Sequence, residues 1–480
     1  MPTRDTTDAG CSMPDDMWEG MTDESGNLIE PTDDETSVTP AERHAVDVAE
    51  FWNARPVLAH LHAWARARMV GPWAVLGATL ARVVAETSPD VQLPATIGGH
   101  ASLNLFVGVV GESGDGKDAA QSVAAQAIYI ENPSFRVAPL GSGEGLSHMF
   151  MRQVKATKEN PFPEPEMYQK KNLVTVAEID SMGALVQRQS STLTSQLRQA
   201  AMGQQLGFFY ADSSRRMIVP EHAYRLALIA GIQPSRSGVL LNDAEGGTPQ
   251  RFVWLPSGDP GMTRNAPPPP NPLAWTAPAW AFAPREHVNG EVKFILTEPA
   301  QCVDAILTAR EQRGRASDRE EAANALDSHA VLTRTKVAAA LAILDGRAAI
   351  DDDDWHLSGV IMAVSDTQRA RCLRALRRVQ EKENTAKALA EADRSVIAEE
   401  HIDRQKVTKC AEMIRRKLRV LPGPDDDGWL AHGKLNVAVG SRHREFLEPA
   451  LDALSLAGEI ETRKIEHRSG NGSKYRITRS

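Results

Sequence analysis

The fold is decided by Leu105-Phe106-Val107-Gly108-Val109-Val110, a short apolar run, and by the loop that follows it, Gly111-Glu112-Ser113-Gly114-Asp115-Gly116-Lys117-Asp118. The apolar run is typical of a buried β-strand, and helical spacing of apolar residues follows over 118–130. The loop matches the pattern G-x-x-x-x-G-K, with Asp118 where Ser or Thr is usual. Glycines let consecutive backbone N–H groups turn inward around a phosphate, and the helix N-terminus adds its positive dipole end. The pattern therefore predicts a phosphate-binding loop.

Every residue of this loop is predicted to bind nucleotide. Lys117 is expected to place a point charge on the β- and γ-phosphates, which makes it a catalytic residue as well. A glycine-rich turn without a ligand is the alternative, but strand, loop and helix stand in the order that the motif requires. The predicted nucleotide-binding residues here are Gly111, Glu112, Ser113, Gly114, Asp115, Gly116, Lys117 and Asp118.

A second group of acids follows the apolar run Leu173-Val174-Thr175-Val176, which continues as Ala177-Glu178-Ile179-Asp180. The run resembles the metal-binding strand of P-loop ATPases, except that Ala177 occupies the position of the first acid. We hypothesise that Asp118 supplies the missing metal carboxylate, with Asp180 as a second metal-site residue, and that Glu178 deprotonates the attacking water. In the alternative, Glu178 itself holds the metal and Asp118 only caps the helix. ATP and Mg²⁺ are the predicted cofactors.

Two further positions are candidates for sensing the nucleotide. Gln233 follows the apolar run over 224–230, and its amide is predicted to contact the γ-phosphate or, alternatively, only to order the loop. Arg251 follows a Gly-rich loop and is predicted to act on the nucleotide of a neighbouring subunit, with a surface salt bridge as the alternative.

Residues 206–210 and 217–220 flank Ala211-Asp212-Ser213-Ser214-Arg215-Arg216 and predict a β-hairpin with a basic tip. Arg215 and Arg216 are expected to grip the backbone phosphates of single-stranded DNA in the channel of a ring. An exposed Arg-Arg turn without a ligand is the alternative.

Short buried strands separated by helices predict an α/β fold with a largely parallel sheet covered on both faces. Helical spacing precedes them at 49–65 and 72–87 and returns at 299–312, 327–344 and 355–376. The predicted domains are a flexible acidic tail over 1–44, a helical subdomain over 45–98, a P-loop core over 99–256, a Pro-rich connector over 257–294, a helical lid and linker over 295–402, and a DNA-binding domain over 403–480.

The residues from 403 onward predict helix, helix, helix, strand, turn, strand, which is the order of a winged helix-turn-helix. The helices are expected at 407–420, 433–439 and 442–457, and the strands at 459–465 and 474–478. The start of the third helix should reach base edges of duplex DNA in the major groove, and the wing should contact phosphates. Packing against another protein surface is the alternative. The predicted DNA contacts are Arg442, His443, Arg444, Lys464, Arg468 and Lys474.

Charge is distributed unevenly along the 480 residues. Residues 1–45 carry twelve Asp/Glu and two Lys/Arg, whereas residues 405–480 carry fifteen Lys/Arg and ten Asp/Glu. The basic C-terminal region, rather than the net charge of −9, is therefore the feature that indicates nucleic-acid binding. Four well-separated cysteines argue against a thiolate zinc site and a disulfide framework. With no apolar run long enough to span a membrane, a cytoplasmic location is expected.

The stretch from about residue 51 to residue 376 resembles the helicase-like P-loop family of actinobacterial mobile elements and phages. The resemblance implies a RecA/AAA+-like ATPase that acts in replication of the element, and it marks Lys117, Glu178 and Asp180. Residues 333–355 further resemble the helical lid of AAA+ replicative helicases, with Arg334 as a second nucleotide sensor or, alternatively, a solvated Arg on an amphipathic helix. The resembling pieces, besides the phosphate loop, are Ala54-Arg55-Pro56-Val57-Leu58, His100-Ala101-Ser102-Leu103-Asn104-Leu105-Phe106, Val176-Ala177-Glu178-Ile179-Asp180 and Gly247-Thr248-Pro249-Gln250-Arg251-Phe252.

Together these features predict an ATP-dependent DNA helicase or translocase. It would form a homo-oligomeric ring, expected to be a hexamer, around single-stranded DNA, with a primase or polymerase as a further partner and no membrane association. One alternative is a DNA-binding initiator or regulator in which ATP only switches the oligomeric state. Another is a nucleotide-binding scaffold without catalysis, because the first acid of the metal-binding strand is missing.

Overall fold

The computed structural model describes residues 48–155, 157–158, 164–186, 191–210, 216–244, 246–280, 284–288, 291–315, 329–422, 427–467 and 470–478. The acidic tail at 1–44, the hairpin tip with Arg215, and Arg468 of the wing lie outside these residues. Contacts divide the chain into one unit that ends at Arg377 and a second that begins at Arg378. This division falls inside a helix, ahead of the boundary expected at residue 402.

The helices of the first unit begin where proline permits. Pro56 and Pro72 occupy the first positions of α2 and α3, where a missing N–H costs nothing, so the helix expected over 49–65 is divided at Pro56. No helix among the described residues is both long and apolar enough to cross a lipid bilayer. The helices are α1 Val48–Asn53, α2 Pro56–Ala67, α3 Pro72–Glu86, α4 Lys117–Ala127, α5 Gly143–His148, α6 Ile179–Val186, α7 Leu193–Met202, α8 Gly238–Leu241, α9 Ala300–Arg315, α10 Ala330–Leu344 and α11 Asp352–Val420, which continues into the second unit.

The strands of the first unit are short. They are β1 Val91–Leu93, β2 Ala101–Ser102, β3 Phe106–Val110, β4 Ile128–Ile130, β5 Arg136–Pro139, β6 Met151–Arg152, β7 Glu166–Met167, β8 Lys171–Val176, β9 Arg225–Ile232, β10 Phe252–Pro256, β11 Leu273–Trp275, β12 Arg285–Val288 and β13 Glu291–Ile295.

A five-stranded sheet in the order β10-β3-β9-β8-β5 forms the centre of the first unit. All of its neighbouring strands pair in parallel. Alternate residues enter two different cores, since Val107 and Val109 belong to one cluster while Phe106 and Val110 belong to the other. The α/β class with a parallel sheet covered on both faces is confirmed.

Helices from distant parts of the sequence cover the sheet. On one face α3 crosses β3, β8, β9 and β10 and packs against α4, and α10, buried from Val337 to Leu344, joins the same core. The other face holds side chains of α5, α6, α7 and α8. The segments expected as a helical subdomain and a lid are therefore layers of the same compact unit.

The segment expected as an extended connector, 257–294, contains strands. β11 pairs in parallel with β4, and β12 and β13 join β1 and β2 in a sheet of order β12-β13-β1-β2. The prediction missed β12 because its Arg-Glu-His-Val sequence carries three polar side chains. Such a composition is tolerated at a sheet edge, which is where β12 lies.

The second unit combines the end of α11 with strand β14 Leu430–Ala431, helix α12 His432–Val439, a 3₁₀ turn Ser441–Phe446, helix α13 Leu447–Leu456, and strands β15 Ile460–His467 and β16 Gly470–Ile477. The antiparallel strands lie in the order β14-β16-β15. The helix expected from residue 442 begins only at Leu447. Pro449 explains this correction, since a proline fits the first turn of an α-helix but would clash with the carbonyl four residues earlier in its interior.

Candidate functional site

The loop at residues 111–116 joins β3 to α4, and its glycines are demanded by local geometry. Gly114 and Gly116 have φ values of +88° and +70°, a left-handed conformation that favours glycine. Gly111 instead lacks space, because a Cβ there would lie 1.8 Å from Ser257 Oγ. The loop therefore passes close to the chain after β10 and turns tightly into the helix.

Lys117 is buried beneath this loop, with only 8% of its surface exposed. Its Nζ donates to the carbonyl oxygens of Gly111 at 3.2 Å and Glu112 at 2.6 Å. The backbone N–H of Glu112 in turn donates to Asp115 Oδ2 at 2.7 Å. One ammonium group thus lies at the centre of a loop that is closed on itself.

Gly231, near the end of β9, lies close both to Lys117 and to Ala177, the residue that follows β8. A Cβ on Gly231 would lie 2.2 Å from the carbonyl oxygen of Ala177 and 3.4 Å from Cε of Lys117. The carboxyl ends of parallel strands gather at one sheet edge, where ligands of open α/β sheets bind. The lysine and the acidic segment that begins at Glu178 are therefore neighbours, as the sequence predicted.

Glu178 is exposed at this edge, and its Oε1 accepts a long hydrogen bond of 3.5 Å from Gln233 Nε2. Ser181 donates through both N and Oγ to the Glu178 carbonyl, at 3.1 and 2.7 Å. Gln233 therefore contacts the carboxylate at the tip of the neighbouring strand. Contact between Gln233 and a γ-phosphate stays a prediction.

The remaining acids at this edge are Asp118 and Asp180. Asp118 is exposed in the first turn of α4, whose N-cap is Gly116. Asp180 begins α6, and its Oδ2 lies 3.7 Å from Nε of Arg236. The described residues contain no group of three or more His, Cys, Asp or Glu side chains that forms a ready metal site. Mg²⁺ is usually held by one or two carboxylates together with phosphate oxygens and water, a requirement that Asp118 and Glu178 fit.

Two arginines at this edge were missed by the sequence analysis. Arg236 lies in the turn after β9, and 62% of its side chain is exposed. Arg371 of α11 places an NH2 atom 3.9 Å from Glu112 Oε1, and the next residue, Cys372, is fully buried in the core of that sheet face. Arg236 could have been predicted at this edge, because it lies three residues after Gln233 and follows the same apolar strand. Arg371 had none, because only tertiary packing brings α11 to the loop.

Arg251 lies just before β10, at the opposite edge of the sheet from the phosphate loop. Its guanidinium donates to the carbonyl oxygens of Gly246 and Gly247 at 3.0 and 2.5 Å and contacts His329 Nε2 at 2.8 Å. Burial lowers its pKa to about 10. Its partners are two backbone carbonyl oxygens and a histidine, whereas the alternative of a surface salt bridge requires a carboxylate partner. Action on another subunit stays a prediction and requires release of these contacts.

Arg334 is not brought to the phosphate loop. Its guanidinium lies 3.7 Å from the ring centroid of Trp355 and donates to the Trp355 carbonyl at 2.8 Å. The adjacent Thr333 donates to the Gln250 carbonyl at 2.9 Å, which places this part of α10 where the strands begin. The cation–π contact gives Arg334 a packing role in the first unit, instead of the expected nucleotide contact or solvated position.

The base of the expected basic hairpin is present as a single antiparallel bridge between Leu206 and Val219. Of the two tip arginines, Arg216 is described. Its Nε donates to the Tyr210 carbonyl at 2.5 Å, and its guanidinium lies 4.1 Å from the ring centroid of Phe209.

In the second unit, Arg442, His443 and Arg444 lie in the 3₁₀ turn before α13, with both arginines exposed. Lys464 pairs with Ser473, and Lys474 pairs with Arg463. Because neighbouring residues of a strand point to opposite faces, Lys464 and Lys474 lie on opposite faces of the hairpin. One flat surface cannot contact both.

No model of a known protein family matches this chain, and no curated protein sequence matches it either.

Proposed function

We propose that this protein is a RecA/AAA+-like P-loop ATPase that acts on DNA as a helicase or translocase in the replication of a mobile element or phage. One observation supports this most strongly. The loop at 111–118 and the Glu178–Gln233 pair lie at the same edge of one parallel sheet, and a Cβ on Gly231 would approach both Lys117 and the Ala177 carbonyl.

Nucleotide binding would use groups that the loop already orders. The backbone N–H groups of the loop and the N-terminus of α4 favour an anion at the carboxyl end of β3. Lys117 Nζ would exchange its bonds with the Gly111 and Glu112 carbonyls for charge-assisted bonds with the β- and γ-phosphates. The buried position of its stem keeps the ammonium at this point.

Hydrolysis would use Glu178 as the base that accepts a proton from the attacking water. Gln233 would hold the carboxylate in place through the contact described above. Arg236 and Arg371 lie at the rim and would offset the charge that develops on the phosphoryl oxygens. Asp118, with Asp180 or Glu178, would hold magnesium, which when bound neutralises charge on the β- and γ-phosphates.

Action on DNA is supported by the second unit. Its three helices and last two strands follow the order predicted for a winged helix-turn-helix, with strand β14 added after the first helix, and exposed Arg442 and Arg444 precede α13. Arginines at this point of such a domain approach the bases or phosphates of duplex DNA.

A ring is supported by Arg251. It lies at the sheet edge opposite to the nucleotide of its own chain, so the nucleotide that it would serve belongs to a neighbouring subunit. This arrangement fits a homo-oligomer, which we expect to be a hexamer.

The decisive experiment measures ATP binding and turnover with and without single-stranded DNA. Glu178→Gln should bind ATP like the wild type but turn it over about 10²- to 10⁴-fold more slowly, because the general base is lost. Glu131→Gln, an exposed glutamate outside the site, is the matched control and should retain turnover.

Three outcomes would favour other functions. Sequence-specific duplex binding without displacement of a forked strand would favour an initiator or regulator. ATP binding without turnover by the wild-type protein would favour a scaffold. Failure of the wild-type protein to retain magnesium-bound ATP would contradict the ATPase proposal itself.

A further inference from the structure

Phe209 is an aromatic side chain that lies largely in solvent. Its exposed fraction is 79%, although burying a phenylalanine side chain favours folding. A single exposed apolar residue needs no special account. Whether the exposure of Phe209 has a function therefore depends on the residues around it.

The segments before and after Phe209 are held together at their base by hydrogen bonds. Leu206 and Val219 exchange backbone hydrogen bonds of 3.1 and 3.0 Å, and Gly207 N donates to Oε1 of Gln196 on α7 at 2.9 Å. Gly207 has a φ of +95°, and a Cβ there would lie 2.1 Å from the Met217 carbonyl. Because α7 and this close approach hold the base, Phe209 is presented at a defined position.

A guanidinium group is held against the Phe209 ring. Arg216 lies 4.1 Å from the ring centroid and is anchored by its hydrogen bond to the Tyr210 carbonyl. The rings of Phe208 and Tyr210 lie 6.2 Å apart beside it. A solvent-exposed ring paired with a cation combines a stacking surface for a base with a positive charge for the backbone.

We propose that Phe209 stacks on a base of single-stranded nucleic acid while Arg216 contacts an adjacent phosphate. This inference rests on the proposed function, because a translocase must hold a strand of any sequence, and every base offers a face for stacking. An exposed ring with a cation held beside it matches the alternation of base and phosphate along a single strand.

The test measures anisotropy of a labelled oligo-dT with the full-length protein over a range of salt concentrations. Phe209→Ala should weaken binding about 5- to 150-fold, the loss of one stacked base, without changing the salt dependence. Phe209→Trp should retain binding. Arg216→Gln should instead reduce the slope of log K against log salt by about 0.7, the value for one phosphate contact.

Tyr129→Ala provides a matched control, because Tyr129 is an aromatic residue of β4 with 51% exposure. It should bind oligo-dT like the wild type. The turnover of ATP without DNA should stay unchanged in Phe209→Ala, which shows that the variant is folded.

The outcomes separate this inference from the proposed function. A wild-type protein that does not bind oligo-dT would overturn both the DNA part of the proposed function and the role of Phe209. Tight binding by Phe209→Ala, beside tight binding by the wild type, would overturn the role of Phe209 alone. A changed subunit number in mass photometry of Phe209→Ala would assign the residue to a subunit contact and overturn the stacking role as well.

Discussion

Asp118 and Ala177 each differ from the residue type expected at their position. The loop of P-loop ATPases usually has Ser or Thr where Asp118 stands, and their metal-binding strand begins its acids where Ala177 stands. Both residues are exposed at the ends of their elements, Asp118 in the first turn of α4 and Ala177 after β8. In our hypothesis Asp118 supplies the carboxylate that position 177 lacks, which would keep the number of negative charges at this sheet edge unchanged.

This exchange predicts that the two positions compensate each other. Asp118→Thr removes a metal carboxylate and Ala177→Asp adds a repulsive charge near the phosphates, so each alone should slow ATP turnover about tenfold or more, equal to ~1.4 kcal/mol or more of barrier. The double variant should recover turnover toward the wild type. Steady-state ATPase assays of the four proteins check this. A double variant no faster than the slower single variant would rule out the exchange.

At the residue scale, local pattern located the loop and the acids but misplaced Arg334. Lys117 and Glu178 follow strands whose apolar runs are visible in the sequence, and parallel pairing then brings their ends together. The structure places Arg334 at the edge where the strands begin, away from the phosphate loop. Arg251 lies at the same edge, and its action on a neighbouring subunit stays a prediction. Arg371 had no local signal, since its position beside Glu112 depends on the packing of α11.

At the scale of elements, α10 is a buried helix that contains a buried lysine. Lys336 is 5% exposed, and its Nζ donates to the carbonyl oxygens of Asn104 at 3.0 Å and Ala201 at 2.5 Å. Burial, aided by the charges of Arg225 and Arg251, lowers its pKa to about 7. A neutral amine can donate both hydrogen bonds, so α10 is fixed to the loop before β3 and to the last turn of α7.

The depressed pKa of Lys336 predicts a pH-dependent stability. An unfolded lysine has a pKa near 10.4, so between about pH 7 and pH 10 the unfolded chain binds more protons than the folded chain. The free energy of unfolding should then rise with pH by up to about 1.4 kcal/mol per unit in this window, and the contribution is lost as pH falls toward 7.

Denaturant titrations of the wild type and Lys336→Met at several pH values measure this effect. The difference between their free energies of unfolding isolates Lys336, because all other titrating groups are shared. If the two proteins show parallel pH profiles between about pH 7 and pH 10, folding does not lower the pKa of Lys336.

The Ala54-Arg55-Pro56 motif gains a structural explanation at the same scale. Arg55, which precedes α2, donates to Asp345 at 2.8 Å and to fully buried Asp354 at 2.7 Å. Arg347 also donates to Asp354 through two 2.7 Å bonds. This network fastens the N-terminal helices to the connection between α10 and α11. Spacing in the sequence offered no clue to it, since Arg55 and Asp354 are almost 300 residues apart.

At the scale of the whole molecule, the chain assigns its two proposed activities to separate units. The first, ending at Arg377, contains the phosphate loop and the acids, and the second contains the basic turn before α13. Nucleotide turnover and duplex binding should therefore respond to different substitutions.

Replacing Arg442 and Arg444 together by Gln should weaken duplex DNA binding about 30-fold or more, because each arginine contact contributes ~1–3 kcal/mol and the two together contribute ~2 kcal/mol or more. Turnover of ATP without DNA should stay at the wild-type rate. Arg476→Gln is the control, since the Arg476 guanidinium is engaged by Glu461 at 2.7 Å and lies 4.7 Å from the Trp429 ring centroid. Equal duplex affinity in the double variant and the wild type would remove the DNA-binding role from this turn.

Sequence alone determined the features that depend on neighbouring residues. Apolar runs set β3, β8 and β9, glycines and Lys117 set the loop between β3 and α4, and Pro449 limits the start of α13. Tertiary structure alone decided which distant groups meet: Arg371 beside Glu112, Arg334 on Trp355, and β13 against β1. The physical reason is that backbone conformation and strand formation respond to local sterics and periodicity. Contacts across hundreds of residues depend on which faces must be buried together, and no short stretch of sequence records that.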